Sequence, residues 1–138
     1  MMENRSFDHL SGFWDFRDDI DNLVDKEFCN TYINSNWTVY NEPYDICTGP
    51  YAQEVPLHDP DHGFAGTSFE IYQTMHPTKD DKPTMGGFVQ READLYNSTP
   101  GDASFVIKSL RNEETSTMSF IAENFAFWDT YVNHTFQC

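Results

Sequence analysis

The first nine residues, Met1-Met2-Glu3-Asn4-Arg5-Ser6-Phe7-Asp8-His9, restrict this chain more than any other stretch. An apolar pair runs straight into an acid, an amide, a base and a hydroxyl. A short Phe7–Leu10 turn follows, closed by Gly12. That order reads as the end of a buried strand delivering oxygen ligands to its carboxyl edge, where open α/β sheets place ligands. Adjacent strand residues point to opposite faces, so Glu3 and Asn4 reach one ion only if the strand ends or bends between them. An acid–amide oxygen pair suits a hard divalent cation better than a soft one.

His58-Asp59-Pro60-Asp61-His62 is the second informative stretch. Proline disfavours helix in the residue before it and is welcome at the first helical position. The spacing therefore predicts Asp59 as N-cap, Pro60 as the first helical residue and His62 in the first turn. Phe64, Ser68, Ile71, Tyr72 and Met75 continue at helical spacing until Pro77. His58 then lies outside the helix, and His62 projects near an end that favours negative charge. An imidazole there can donate a hydrogen bond to a phosphate oxygen or protonate a leaving alkoxide. The same five residues also fit a polar capping turn without chemistry.

Residues 3–9 resemble, position by position, the Glu-Asn-Arg-Ser-Phe-Asp-His signature of the phosphoesterase family. That family holds bacterial and fungal phospholipases C and acid phosphatases, within the alkaline phosphatase superfamily. His58–His62 followed by a helix is similar to its second motif, and Met85-Gly86-Gly87-Phe88 to a Met-x-Gly-Phe at the corresponding distance. The resemblance implies an α/β fold: a partial doubly wound, alkaline-phosphatase-like sheet with long irregular loops, incomplete at both ends. Residues 1–138 are then a single partial phosphoesterase domain, with an aromatic, Cys-containing loop insertion over residues 13–56.

The implied activity is hydrolysis of a phosphate ester or phospholipid, phospholipase C-like or acid phosphatase-like, by two-step covalent catalysis. Glu3 and Asn4 are the implied ligands of a divalent metal ion. His62 is the implied phosphate-binding or leaving-group acid residue, with His58 and Asp61 supporting it. The family's nucleophile follows a Pro and precedes Pro-Asn-Arg, and the chain stops at Cys138 just before such a point. The expectation is a fragment of a larger hydrolase, lacking the nucleophile and without significant turnover by itself.

Composition bears on partners. Lys plus Arg number 8 against 23 Asp plus Glu, a net charge of −15. That balance opposes nucleic acid and anionic membrane surfaces, so an anionic ester must be drawn in by a local site. Aromatic residues reach 16% of the chain, which argues against disorder. No 18-residue apolar run suggests a transmembrane segment. The sequons at Asn36, Asn97 and Asn133, with a formal match at Asn4, point to a secreted parent, its signal peptide not present in this chain. Of three cysteines, Cys29 and Cys47 flank a turn-rich loop and could close it in an oxidising compartment. Cys138 is left over, and three reduced thiols are the alternative.

Elsewhere the acidic run from Arg17 to Asp25 reads as a solvated face. Tyr32, Trp37, Tyr40, Tyr44 and Tyr51 read as anchors of the irregular stretch from Cys29 to Pro56. Gln90–Tyr96 reads as a short helix. Met118, Ile121, Ala122 and Phe125 recur at i, i+3, i+4 and i+7, which predicts a core helix over residues 116–126 leading into a strand over 127–132. Two competing functions fit less well. One is a non-catalytic secreted module binding a ligand or cation through acidic and aromatic loops. The other is a free-standing zinc site from His58, His62 and a cysteine, which Pro60 opposes.

Overall fold

A computed structural model describes residues 6–33, 43–52 and 55–127. The elements run as helix α1 (Phe7–Ser11), strands β1 (Cys29–Tyr32) and β2 (Tyr44–Cys47), helices α2 (Phe64–Tyr72), α3 (Phe88–Tyr96) and α4 (Pro100–Ala103), two 3₁₀ turns, and helix α5 (Ser116–Asn124). This is a mixed α/β arrangement in which helices outweigh a small two-stranded sheet.

Ser6 starts α1 because its hydroxyl accepts the His9 backbone N–H at 3.1 Å, satisfying a donor that the first turn leaves open. The strands pair antiparallel with Cys29 opposite Cys47, Asn30 opposite Ile46 and Tyr32 opposite Tyr44. A disulfide joins Cys29 to Cys47. At the other end the Tyr32 and Tyr44 rings meet edge to face at 5.5 Å. Tyr32 is buried, but Tyr44 and Tyr51 are exposed, so one of these three tyrosines anchors in the way expected. Trp37 and Tyr40 lie outside the described residues.

Helix α3 organises the rest. Its buried Val89 and Ala93 pack with Tyr32 and Ala103, and with half-buried Ile46, Val106 and Ile107. Full burial of a side chain such as Val89 contributes about 1.5–3 kcal/mol. Asn30 reaches from β1 to the start of α3, donating to the Met85 carbonyl at 3.1 Å and accepting the Val89 N–H at 3.2 Å. Gly87 lies so close to the Phe69 carbonyl that a Cβ would collide with it, and this lets α2 and α3 approach. A second core gathers Trp14, Ile20 and Ala122, with Phe7, Leu10, Phe16 and Phe127 around it. The buried Trp14 indole donates to Thr115 at 2.9 Å, so its polar edge is satisfied.

Three local expectations need correction. Helix α2 starts at Phe64 with Gly63 as its cap, so Asp59, Pro60 and His62 precede the helix. Asp61 explains the delay, because its carboxylate takes the Gly63 N–H at 3.0 Å and is drawn toward α3 by Arg91. The helix also stops early, at left-handed Gln73 (φ 60°), before Pro77. There the chain folds back and the N–H groups of Thr84 and Met85 take the Ile71 carbonyl. Helix α5 stands where the periodicity placed it, yet only Ala122 is buried. Met118, Ile121 and Phe125 are 39%, 46% and 67% exposed, so the stripe is not core among the described residues. Residues 128–132, expected as strand, lie outside them.

The acidic run behaves as a solvated face. Asp21 pairs with Lys26 and Asp19 with Arg17, while Ile20 is buried and Leu23 lines the cleft.

Candidate functional site

The stretch from His58 to His62 is an irregular loop laid across the C-terminal half of α3. Three contacts hold it there. The His58 ring stacks on the Tyr96 ring, with centroids 4.1 Å apart and planes 7° from parallel. The Tyr96 hydroxyl donates to the Asp59 carbonyl at 2.7 Å. Arg91 donates to the Asp61 carboxylate through Nε at 2.7 Å, and its terminal nitrogen lies 2.5 Å from the same oxygen. Arg91 and Tyr96 both lie on α3, and one helix thus presents an arginine and an aromatic plate to the loop.

Asp61 is the pivot. Burial alone would raise its carboxyl, but the Gly63 N–H and the Arg91 guanidinium hold it below the usual carboxylate range. It remains an anion, and its side chain is only 16% exposed. Gly66, on the first turn of α2, lies directly beneath it, where a Cβ would occupy the space of the carboxylate. A glycine is therefore what lets the loop settle against the helix start.

His62 is left accessible, together with Asp59. Its Nε2 lies 3.2 Å from the Asp59 carboxylate, and its side chain is 57% exposed. Asp59 orients the ring without burying it, so the imidazole can meet a ligand arriving from solvent. His58 is clamped on Tyr96 and half-buried, a position suited to support. The arrangement joins an oriented imidazole, a fixed acid beside it and a guanidinium behind that acid.

Two further acids sit under the loop. Glu92 is 2% exposed, and its Oε1 has no hydrogen-bond partner. Burial, with Asp61 and Asp59 adding to it, pushes its carboxyl up to about 7. Burial and the charges of Asp61 and Glu92 likewise push Glu70 up to about 7. At neutral pH these groups are only partly ionised, which limits the negative charge that a loop receiving an anion would face.

The N-terminal motif is described from Ser6 onward, and Glu3 and Asn4 lie outside the described residues. Ser6, Asp8 and His9 line a cleft of about 400 Å³, shared with Asn30, Met85 and Lys108 among others. Asp8 and His9 are fixed there by backbone bonds: the Asp8 carbonyl accepts the Ser109 hydroxyl at 2.5 Å, and the His9 carbonyl accepts the Leu110 N–H at 2.7 Å. None of His58, Asp61 and His62 lines this cleft. The structure thus brings His58, Asp61 and His62 together with one another. Helix α3 links the two regions, Phe88 lining the cleft while Arg91 and Tyr96 hold the loop.

Arg91, Tyr96, Gly66 and Glu92 were not singled out by sequence. A usable signal did exist for Arg91, since a chain with 8 basic residues against 23 acidic ones gives each arginine many possible partners. Among the described residues, the one grouping of potential metal-binding side chains is Glu27, Cys29 and Cys47, and its cysteines are joined in the disulfide. Neither cysteine is available to a zinc site with His58 and His62, and Cys138 lies outside the described residues. No helix among the described residues is long and apolar enough to cross a membrane.

Comparison with known proteins gives two findings. The model of the Phosphoesterase family matches residues 1–137. The chain is 30% identical over 134 residues to non-specific phospholipase C1 of Arabidopsis thaliana, a match covering 95% of this chain and 23% of that protein. The chain therefore spans about a quarter of the length of that curated relative.

Proposed function

The chain belongs to the phosphoesterase family, and from that premise we propose that it supplies part of the active site of a hydrolase acting on phosphate ester bonds. Within this reading His62 contacts the phosphate or protonates the leaving alcohol. His58 and Asp61 position the loop, and Glu3 and Asn4 bind a divalent metal ion. The metal, when bound, would polarise the phosphoryl group and activate the attacking hydroxyl. The fold of the complete enzyme, on this reading, is the doubly wound alkaline-phosphatase-like sheet, and its substrate is a phospholipid or a phosphate monoester. The parent is secreted, and the chain by itself turns over no substrate.

The observation that carries the proposal is the docking of the His58–His62 loop on α3. A part-buried arginine–carboxylate pair and a ring stack fix the loop, while His62 and the Asp59 that orients it are turned outward. A loop serving only as a cap has no need of that arrangement, because Gly63, not Asp59, caps α2. The chemistry left to the chain's own residues is modest and specific: donating one hydrogen bond to a phosphate oxygen and moving one proton, from an imidazole whose Nε2 faces Asp59.

Equilibrium binding of inorganic phosphate, measured by calorimetry with and without manganese, tests the proposal. Saturable binding that weakens at least tenfold in His62→Ala and loses its metal dependence in Glu3→Ala is the expected result. Phosphate binding indifferent to both substitutions would instead favour the second reading, a non-catalytic secreted module binding a ligand or cation through its acidic loops. The exposed Asp18, Asp19, Asp21 and Asp25 of the stretch from Arg17 to Asp25 favour that alternative.

A further inference from the structure

We propose that Glu92 couples anion capture at the His58–His62 loop to the uptake of a proton: as a phosphate arrives at His62, a proton from solvent settles on the Glu92 carboxylate beneath the loop. This coupling rests on the reading of His62 as the phosphate contact. Val89, Glu92, Ala93 and Tyr96 recur on α3 at i, i+3, i+4 and i+7, so one helix face carries all four. Val89 and Ala93 of that face are core, and the acid beside them is 2% exposed. Its Oε1 finds no hydrogen-bond partner among the described residues. Arg91, the adjacent cation, is committed to Asp61, with Nε donating to that carboxylate at 2.7 Å. A carboxylate so placed is costly to hold ionised, and the neutral acid is favoured.

The titratable and charged groups acting on Glu92 come from every side. They are Asp61 and Asp59 on the loop, Glu70 on α2, and Arg91 and Tyr96 on α3 itself. His62 acts on Asp61 and Glu70. Burial, then the charges of Asp61 and Asp59, push the Glu92 carboxyl up to about 7, with Arg91 opposing. The group therefore stands partly ionised at neutral pH, where a small change in the local field shifts its proton.

A phosphate at His62 adds negative charge to that field. One charge about 10 Å away in a protein interior raises the proton affinity of a carboxyl roughly tenfold. At about pH 7.5 such a rise moves about half a proton from solvent onto Glu92. One O–H bond forms, no other bond changes, and nothing is oxidised or reduced.

Calorimetry of inorganic phosphate binding to the full chain, at a fixed magnesium concentration, tests this against Glu92→Gln, a neutral residue of the same shape. The titrations of phosphate and of His62 are common to both chains and cancel in the ratio of their dissociation constants. That ratio, wild type over variant, should stay close to one near about pH 6 and reach about fivefold near about pH 8. On wild type alone, the Glu92 carboxyl carbon resonance should titrate at higher pH with saturating phosphate than without it. A flat ratio or an unmoved titration midpoint, alongside saturable binding that His62→Ala weakens, would overturn the coupling and leave the phosphate reading standing. Binding that is not saturable, or is indifferent to His62→Ala, would overturn that reading and the coupling with it.

Discussion

Arg91 on α3 grips the carboxylate of Asp61, thirty residues earlier in the chain, through two nitrogens at 2.7 and 2.5 Å, with both side chains less than one-fifth exposed. That pair fixes the loop carrying His58 and His62. Removing one partner strands the other charge in a poorly hydrated place. Arg91→Ala is expected to destabilise the fold by about 2–4 kcal/mol, read from denaturant midpoints. Arg91→Lys should recover only part of the loss, because an ammonium cannot reproduce the fork. An Arg91→Ala chain as stable as wild type would mean the pair holds nothing.

Gly66 tests the same geometry from below. Gly66→Ala puts a methyl group where the Asp61 carboxylate lies. The expected cost is about 1–3 kcal/mol of overpacking, with faster amide exchange over residues 58–63. Unchanged exchange in that segment would show that the loop does not rest on Gly66.

Glu70 and Glu92 set a pH dependence. Each carboxyl titrates near 7 in the folded protein against an ordinary value of 4.5, with burial the main cause. The folded state thus binds protons more tightly than the unfolded one, so their contribution is most favourable below about pH 4.5 and declines as pH rises toward 7. The groups facing them are Asp59, Asp61, His62 and Arg91. Glu92→Gln, neutral at every pH, should match wild type near pH 4 and melt roughly 2–5 °C higher at pH 8. Equal melting temperatures at pH 8 would refute this account of Glu92.

The disulfide closes a loop whose ends are 18 residues apart in sequence. Its loss in the Cys29→Ser, Cys47→Ser double variant should cost about 3 kcal/mol by the chain-entropy argument. It should also loosen the strand that carries Asn30, and with it the start of α3. Urea midpoints of oxidised chain and double variant measure this directly, and coincident midpoints would exclude a stabilising role.

How far the sequence could be read depended on whether the deciding partner was local. Helix α5 follows from apolar spacing alone, and α3 begins only two residues before its expected start. The Cys29–Cys47 closure was open from spacing and is seen across paired strands. The start of α2 was misplaced because Pro60 is a good first helical residue, and nothing nearby in sequence announces that Arg91 will pull Asp61 aside. The expectation that the loop His58–His62 belongs to a site rests on its motif. The clamp of Arg91 and Tyr96 is a long-range relation between segments thirty or more residues apart. The exposure of Met118, Ile121 and Phe125 has a similar origin, since periodicity marks an apolar stripe without naming what covers it.

The most direct test of the whole account is paramagnetic broadening of histidine ring signals by substoichiometric manganese, with inorganic phosphate present. If Glu3 and Asn4 hold the metal beside the phosphate that His62 contacts, the His62 resonances broaden first, those of exposed His76 stay sharp, and Glu3→Ala restores the His62 lines. Broadening that spares His62 while manganese is demonstrably bound would contradict the proposed site.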